Sequence, residues 1–195
     1  IANKISRSAG VEIEPEWVTV LAGTQNAFYS ACRCLFGHGD EVIVLDPAYV
    51  TYEACIASTG AQQVRVEQPA ATGFRPDVDA IERAVTPATR GIVFSNPSNP
   101  TGVALNGDEL EAISRVAVSN DLWVVVDEVY SDLVFDGVHH SIAGLPGMLE
   151  RTVTVSSVSK SYAMTGWRCG WAVGPPELGN HLRQMALINL YGLPG

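Results

Sequence analysis

Three consecutive valines, Val124-Val125-Val126, constrain this chain more than any other feature. A strand with one wet face alternates apolar and polar residues, whereas an unbroken apolar run is a strand covered on both faces. Seven short apolar runs recur, at 17–21, 41–45, 63–66, 91–95, 122–126, 152–156 and 168–173. Helical patterns occupy 24–36, 50–59, 78–85, 108–120 and 176–188. Strands separated by helices predict a layered α/β sheet, mostly parallel. Only residues 157–167 separate the last two runs, too few for a helical crossover, so the final strand is expected to run antiparallel. No repeat, low-complexity tract or Ser/Gly-rich linker divides the sequence, and its 195 residues read as one domain, 1–195.

Charge narrows the partners. Twelve Lys and Arg against 21 Asp and Glu leave a net charge of −9. A nucleic-acid groove or an anionic membrane surface needs clustered positive charge, so neither is expected. Charged residues make up only 17% and hydrophobic ones 47%, which allows a sizeable core and more covered surface than one globule supplies alone. No apolar run approaches the roughly 20 residues of a membrane span, and residues 1–10 lack the apolar core of a signal peptide. Cys32, Cys34, Cys55 and Cys169 form no CxxC or zinc-type spacing and read as free thiols of a reducing compartment. The four histidines make no ligand set, so no metal is expected, and the localisation expected is cytoplasmic. Residues 1–8 read as the end of a helix, and 190–195 stop in mid-sequence after another; the sequence reads as a fragment.

The common nucleotide and hydrolase motifs fail. Gly37-His38-Gly39 is followed by Asp40 and Glu41, acids where a pyrophosphate would lie, and no third glycine completes a dinucleotide fingerprint. There is no Walker A lysine, no HExxH and no GxSxG. What remains is a coincidence of position, because open α/β sheets bind ligands beyond the carboxyl ends of their strands. Gly23-Thr24-Gln25 follows the first run and opens a helix, and Pro47-Ala48-Tyr49 follows the second. Asn96-Pro97-Ser98-Asn99-Pro100-Thr101-Gly102 follows the fourth, Asp127 closes the fifth with Tyr130 three later, and Ser157 and Lys160 follow the sixth. Arg168 begins the last run, whose antiparallel course brings its start to the same edge.

Singly, these have ordinary explanations. Thr24 could cap a helix, Asn-Pro-Thr-Gly makes turns, an Asp after a strand caps the next element, Tyr49 packs, and a serine-flanked lysine is solvated. Their convergence on one edge decides otherwise, and Lys160 is one of only two lysines, with Lys4. Pyridoxal 5′-phosphate chemistry requires this set: an amine for the aldehyde, a carboxylate facing the pyridine nitrogen, donors at the phenolic oxygen, an aromatic face and a phosphate cup. A helix N-terminus and a bidentate arginine suit the phosphate.

From Val18 to Gly195 the sequence resembles the large domain of class I/II aminotransferases, the aspartate aminotransferase-like, fold type I group. Ser157-Val158-Ser159-Lys160-Ser161-Tyr162-Ala163-Met164-Thr165-Gly166-Trp167-Arg168-Cys169-Gly170 is similar to the family's lysine segment, and residues 96–102 and Asp127-Glu128-Val129-Tyr130 to its other two marks. The resemblance implies a three-layer α/β/α sandwich with a mixed, mostly parallel seven-stranded sheet. It implies that Lys160 forms the Schiff base and moves the proton, and that Asp127 pairs with the ring nitrogen. By the same resemblance Asn99 and Tyr130 bond the phenolic oxygen and Tyr49 stacks on the ring. Gly23, Thr24, Gln25, Ser157 and Arg168 form the phosphate cup. It also implies a homodimer taking an amino acid and a 2-oxo acid.

Family members are longer: an N-terminal closing segment and a C-terminal small domain, the usual source of the arginine for the substrate carboxylate, have no counterpart here. This stretch alone is therefore expected to bind cofactor yet turn over little. Carbon–sulfur β-elimination on the same fold is the alternative chemistry, and a non-catalytic regulatory module the alternative class, although no basic or helix-turn-helix segment accompanies it. The segment 190–195 carries no arginine, which leans the reading toward the arginine–pyruvate transaminase branch rather than strict aspartate enzymes.

Overall fold

Alternation inside the apolar runs decides the layering. In the computed structural model, which describes residues 1–193, Val42 and Val44 face one side of the sheet while Ile43 and Leu45 face the other, and all four are buried. All seven expected strands form: β1 (Val18–Leu21), β2 (Glu41–Asp46), β3 (Gln62–Glu67), β4 (Thr89–Ser95), β5 (Trp123–Asp127), β6 (Thr152–Ser157) and β7 (Gly170–Val173). They make one sheet in the order β1-β7-β6-β5-β4-β2-β3. β7 runs antiparallel to both neighbours, and the remaining pairings are parallel.

The helices are α1 (Ala2–Ala9), α2 (Thr24–Leu35), α3 (Tyr52–Ala57), α4 (Val78–Arg83), α5 (Gly107–Ser119) and α6 (Pro176–Asn189). Phe28, Ala31 and Cys32 of α2, Ile56 of α3 and Leu182 of α6 pack with Val93, Val125 and Val155 on one face. Ile81 of α4 and Leu110, Ile113 and Val116 of α5 pack with Ile92, Phe94, Val124 and Val126 on the other. Covering both faces is what the continuous valines require. α5 begins on a capping box, Asn106 accepting from the Glu109 N–H at 3.0 Å while Glu109 accepts from the Asn106 N–H at 2.8 Å. Pro194 and Gly195, the end of the 190–195 segment, lie outside the described residues.

Several boundaries differ from expectation, among them the end of α4, at Arg83 rather than Val85, and the start of β4, at Thr89 rather than Gly91. The helix expected over 50–59 is only Tyr52–Ala57, because Ser58 and Thr59 turn their hydroxyls back onto the carbonyls of Cys55 and Ile56, both at 2.7 Å. The last strand begins at Gly170, not at Arg168, whose backbone is left-handed at φ 48°. Gly170 is where β7 slides against the β1–α2 turn: a Cβ there would meet Gly23 Cα at 2.6 Å and Thr24 N at 2.8 Å. Gly170→Ala should push the start of α2 outward and lower the melting temperature by several degrees, about 1–3 kcal/mol for an overpacked contact. An unchanged melting curve would show that the turn yields.

Candidate active site

The start of α2 is built to receive an anion. Gly23 caps it with φ 85°, without a side-chain cap, and the first-turn N–H groups have no carbonyl partner within the helix. The Arg168 guanidinium lies directly against Gly23, donating to Thr165 O at 3.0 Å and to Ala22 O at 3.3 Å. It has no carboxylate partner among the described residues, so its charge is available to a ligand. Thr24 Oγ1 is buried without a hydrogen-bond partner, and Ser157, at the end of β6, is buried beside them. Gln25 is engaged through its side chain. Its side chain accepts from Thr51 Oγ1 at 2.6 Å and donates to Cys55 Sγ at 3.1 Å, which leaves its backbone N–H as the group free for an anion.

At the opposite end sits Asp127, the last residue of β5. It points to the α2 side because Val125, two residues earlier, does. Its Oδ1 accepts from the Val129 N–H and its Oδ2 from the Tyr52 hydroxyl, each at 3.0 Å. Burial pushes the Asp127 carboxyl up to about 6, a rise opposed by those two hydrogen bonds and by Lys160 and reinforced by Glu128. Tyr52 is itself raised by burial and by Asp127. Its ring stacks on Phe28 at 4.3 Å between centroids, and Tyr49 meets it edge-on at 5.9 Å. Tyr52 escaped the sequence reading; only its spacing, one helical turn after Tyr49, hinted at a shared location.

The raised Asp127 has a stability consequence. Between the ordinary carboxylate range and about pH 6 the folded protein keeps a proton that the unfolded chain releases, so stability falls as pH rises through that window. The loss approaches about 3 kcal/mol if the full shift is expressed. Asp127→Asn should remove this component, so urea midpoints of the two cofactor-free proteins should diverge more at pH 7 than at pH 4. A constant difference would contradict the assignment.

Lys160 lies on the loop after β6, with Nζ 5.7 Å from the centroid of the Tyr130 ring. Asn99 is held by its N–H donating to Ser95 Oγ at 3.0 Å. Asn96, unassigned from sequence, secures the same loop by donating to His140 O and accepting from Leu105 N, both at 2.9 Å. Thr24, Gln25, Tyr49, Asn99, Asp127, Tyr130, Ser157, Lys160 and Arg168 all line one cleft of ≈ 210 Å³, with Gly23 behind Arg168. Phe28, Tyr52, Val129, Ser159 and Thr165, which the sequence reading did not single out, complete its walls.

This donor set fits pyridoxal 5′-phosphate. The unpaired Arg168 and the orphaned Thr24 hydroxyl suit a phosphate, a buried carboxylate opposite suits a cationic ring nitrogen, and an amine lies along the cleft. The description "Aminotransferase class I and II" belongs to the family model that matches residues 1–192. Arginine–pyruvate transaminase AruH of Pseudomonas aeruginosa is 47% identical over 194 residues, covering 100% of this chain and 49% of that protein. The probable N-succinyldiaminopimelate aminotransferase DapC of Mycobacterium tuberculosis is 45% identical over 181 residues, 91% of this chain and 46% of that one. The structure of Thermus thermophilus aspartate aminotransferase with maleate superposes with a TM-score of 0.95 at 36% identity, over 98% of this chain and 50% of its own. The chain thus spans about half the length of the curated relatives it matches. With a match from end to end and the fold shared, the chain belongs to the class I and II aminotransferases, a family dependent on pyridoxal 5′-phosphate.

Proposed function

We propose that residues 1–195 are the cofactor-binding large domain of an enzyme that transfers an amino group from an amino acid to a 2-oxo acid. The observation that carries this reading is the placing of Lys160 in one cleft with a buried Asp127 and an Arg168 free of carboxylates. When bound, pyridoxal 5′-phosphate supplies an aldehyde for an amine and a ring that accepts the electron pair left when the substrate carbon loses its proton.

The chain's own residues do the rest. Arg168, the Thr24 and Ser157 hydroxyls and the N–H groups of the α2 start hold the phosphate, with Gly23 keeping Arg168 close. Asp127, oriented by Tyr52 and Val129, would face the ring nitrogen; a cation there would draw the carboxyl pKa back down, and the resulting carboxylate would keep the nitrogen protonated. Tyr130 and Asn99 would donate at the phenolic oxygen, and Tyr49 would cover a face of the ring; all three line the cleft. The Lys160 amine would hold the cofactor aldehyde and, once an incoming amine displaced it, would be the free base placed to take and return the substrate proton.

Homodimer formation and a cytoplasmic location belong to the same proposal. Exposed Trp167, Ile188 and Tyr191 support a covered surface, and no described helix is long and apolar enough to cross a membrane. The 47% likeness to an arginine–pyruvate transaminase supports arginine as amino donor and pyruvate as acceptor. The test uses the full-length protein that contains this chain. Arginine alone should convert the bound cofactor to its pyridoxamine form and release one equivalent of 2-oxo acid, and pyruvate should reverse it. Pyruvate and ammonia formed from a β-substituted amino acid, without the pyridoxamine form, would assign a lyase instead.

A further inference from the structure

Lys4 stands 156 positions before Lys160, on α1, outside every segment that lines the cleft. Its ammonium nevertheless reaches Asp132, donating to both carboxylate oxygens, with Oδ1 at 2.5 Å. The Lys4 side chain is largely buried at 23% exposure, so its stem is packed rather than waving in solvent. α1 is seated through Ile5 in an apolar cluster with Trp171 and Val173, and Val158 packs against the same cluster. Val158 opens the loop that carries Lys160: its N–H donates to Cys169 O at 3.0 Å, and its carbonyl accepts from Tyr162 N at 3.2 Å.

Asp132 stands two residues beyond Tyr130, which lines the cleft. There β5 has ended, and the chain is held by turns, Ser131 N to Glu128 O at 3.0 Å and Leu133 N to Tyr130 O at 2.8 Å. Behind them the buried Glu128 and His139 approach within 3.3 Å. Burial would raise the pKa of Asp132, but Lys4, Ser161 and His139 hold the carboxyl below the ordinary carboxylate range. Ser161 is the neighbour of Lys160. The Asp132 carboxylate joins α1 to the turn bearing Tyr130, whose ring centroid lies 5.7 Å from Lys160 Nζ.

We propose that Lys4 is a positioning residue: by anchoring Asp132 it fixes the turn that presents Tyr130 to the Lys160 amine. The inference rests on the cofactor reading of Tyr130 and Lys160 given above. Asp132 is exposed and Lys4 partly buried, and an ion pair that open to solvent contributes little to stability, so the effect belongs in geometry more than in the melting curve.

The test is a double-mutant cycle on the full-length, cofactor-loaded protein, reading the pH midpoint of the visible band of the Lys160-linked cofactor. A hydroxyl donating to the ring oxygen draws off charge that would hold a proton on the linked nitrogen, so Tyr130→Phe should raise the midpoint by about 1 pH unit. Lys4→Met should raise it by about half as much, with kcat about tenfold lower, and Lys4→Arg should restore both. In the Tyr130→Phe background Lys4→Met should add nothing. If Tyr130→Phe leaves the midpoint in place, the cofactor reading itself fails. If Tyr130→Phe moves it and Lys4→Met does not, or moves it equally in both backgrounds, Lys4 is not the positioning residue. Asp132→Asn makes the same prediction should Lys4→Met fold poorly. A separate readout needs no cofactor: with two lysines in this chain, competitive acylation and peptide mapping should show Lys4 labelled more slowly than Lys160, and Asp132→Asn should remove the difference.

Discussion

Lys160→Ala is expected to abolish turnover in the full-length protein, by about 10³-fold or more, since one side chain serves as both covalent anchor and proton carrier. The visible band of the linked cofactor should vanish with it. Retention should be less affected, because the phosphate cup proposed for Arg168, Thr24, Ser157 and the α2 start is independent of the amine. Equilibrium dialysis of pyridoxal 5′-phosphate against the variant checks this: binding within about tenfold of the parent, roughly 1.4 kcal/mol, alongside lost turnover, is the expected pattern. Turnover within tenfold of the parent would remove Lys160 from the mechanism.

The second large effect is at Asp127. Asp127→Ala takes away the charge proposed to keep the ring nitrogen protonated, and it also strands the Tyr52 hydroxyl and the Val129 N–H that the carboxylate satisfies. The electronic loss is felt where charge develops, so kcat should fall about 10²–10³-fold while cofactor affinity falls much less. Asp127→Glu should recover part of the rate by restoring the charge at a displaced position. If Asp127→Ala in the full-length enzyme kept turnover within about tenfold, about 1.4 kcal/mol of barrier, the role given to Asp127 would be wrong.

Sequence and structure divide the explanation unevenly. The valine runs make the strands legible because a doubly covered strand has no other composition, and the short 157–167 connection makes the antiparallel β7 legible because no helix fits it. Boundaries were less readable. The left-handed backbone of Arg168 and the close passage of Gly170 over Gly23 depend on two turns far apart in sequence. The site follows the same rule. Residues at strand ends, such as Asp127 and Ser157, are placed by the sheet alone and so could be read from position. Tyr52 could not, because its role comes from a hydrogen bond spanning 75 positions, nor could the engagement of the Gln25 side chain by Thr51 and Cys55. Nor could the pairing of Lys4 with Asp132, which are 128 positions apart and meet only in the fold.

The central claim is that the cofactor is carried by Lys160 within this cleft, and the two-lysine composition of the chain makes it directly testable. Loading the full-length protein with pyridoxal 5′-phosphate, reducing with borohydride and mapping the peptides should place the stable adduct on Lys160 with stoichiometric yield. A label on Lys4, on a lysine outside these 195 residues, or on none at all would contradict it.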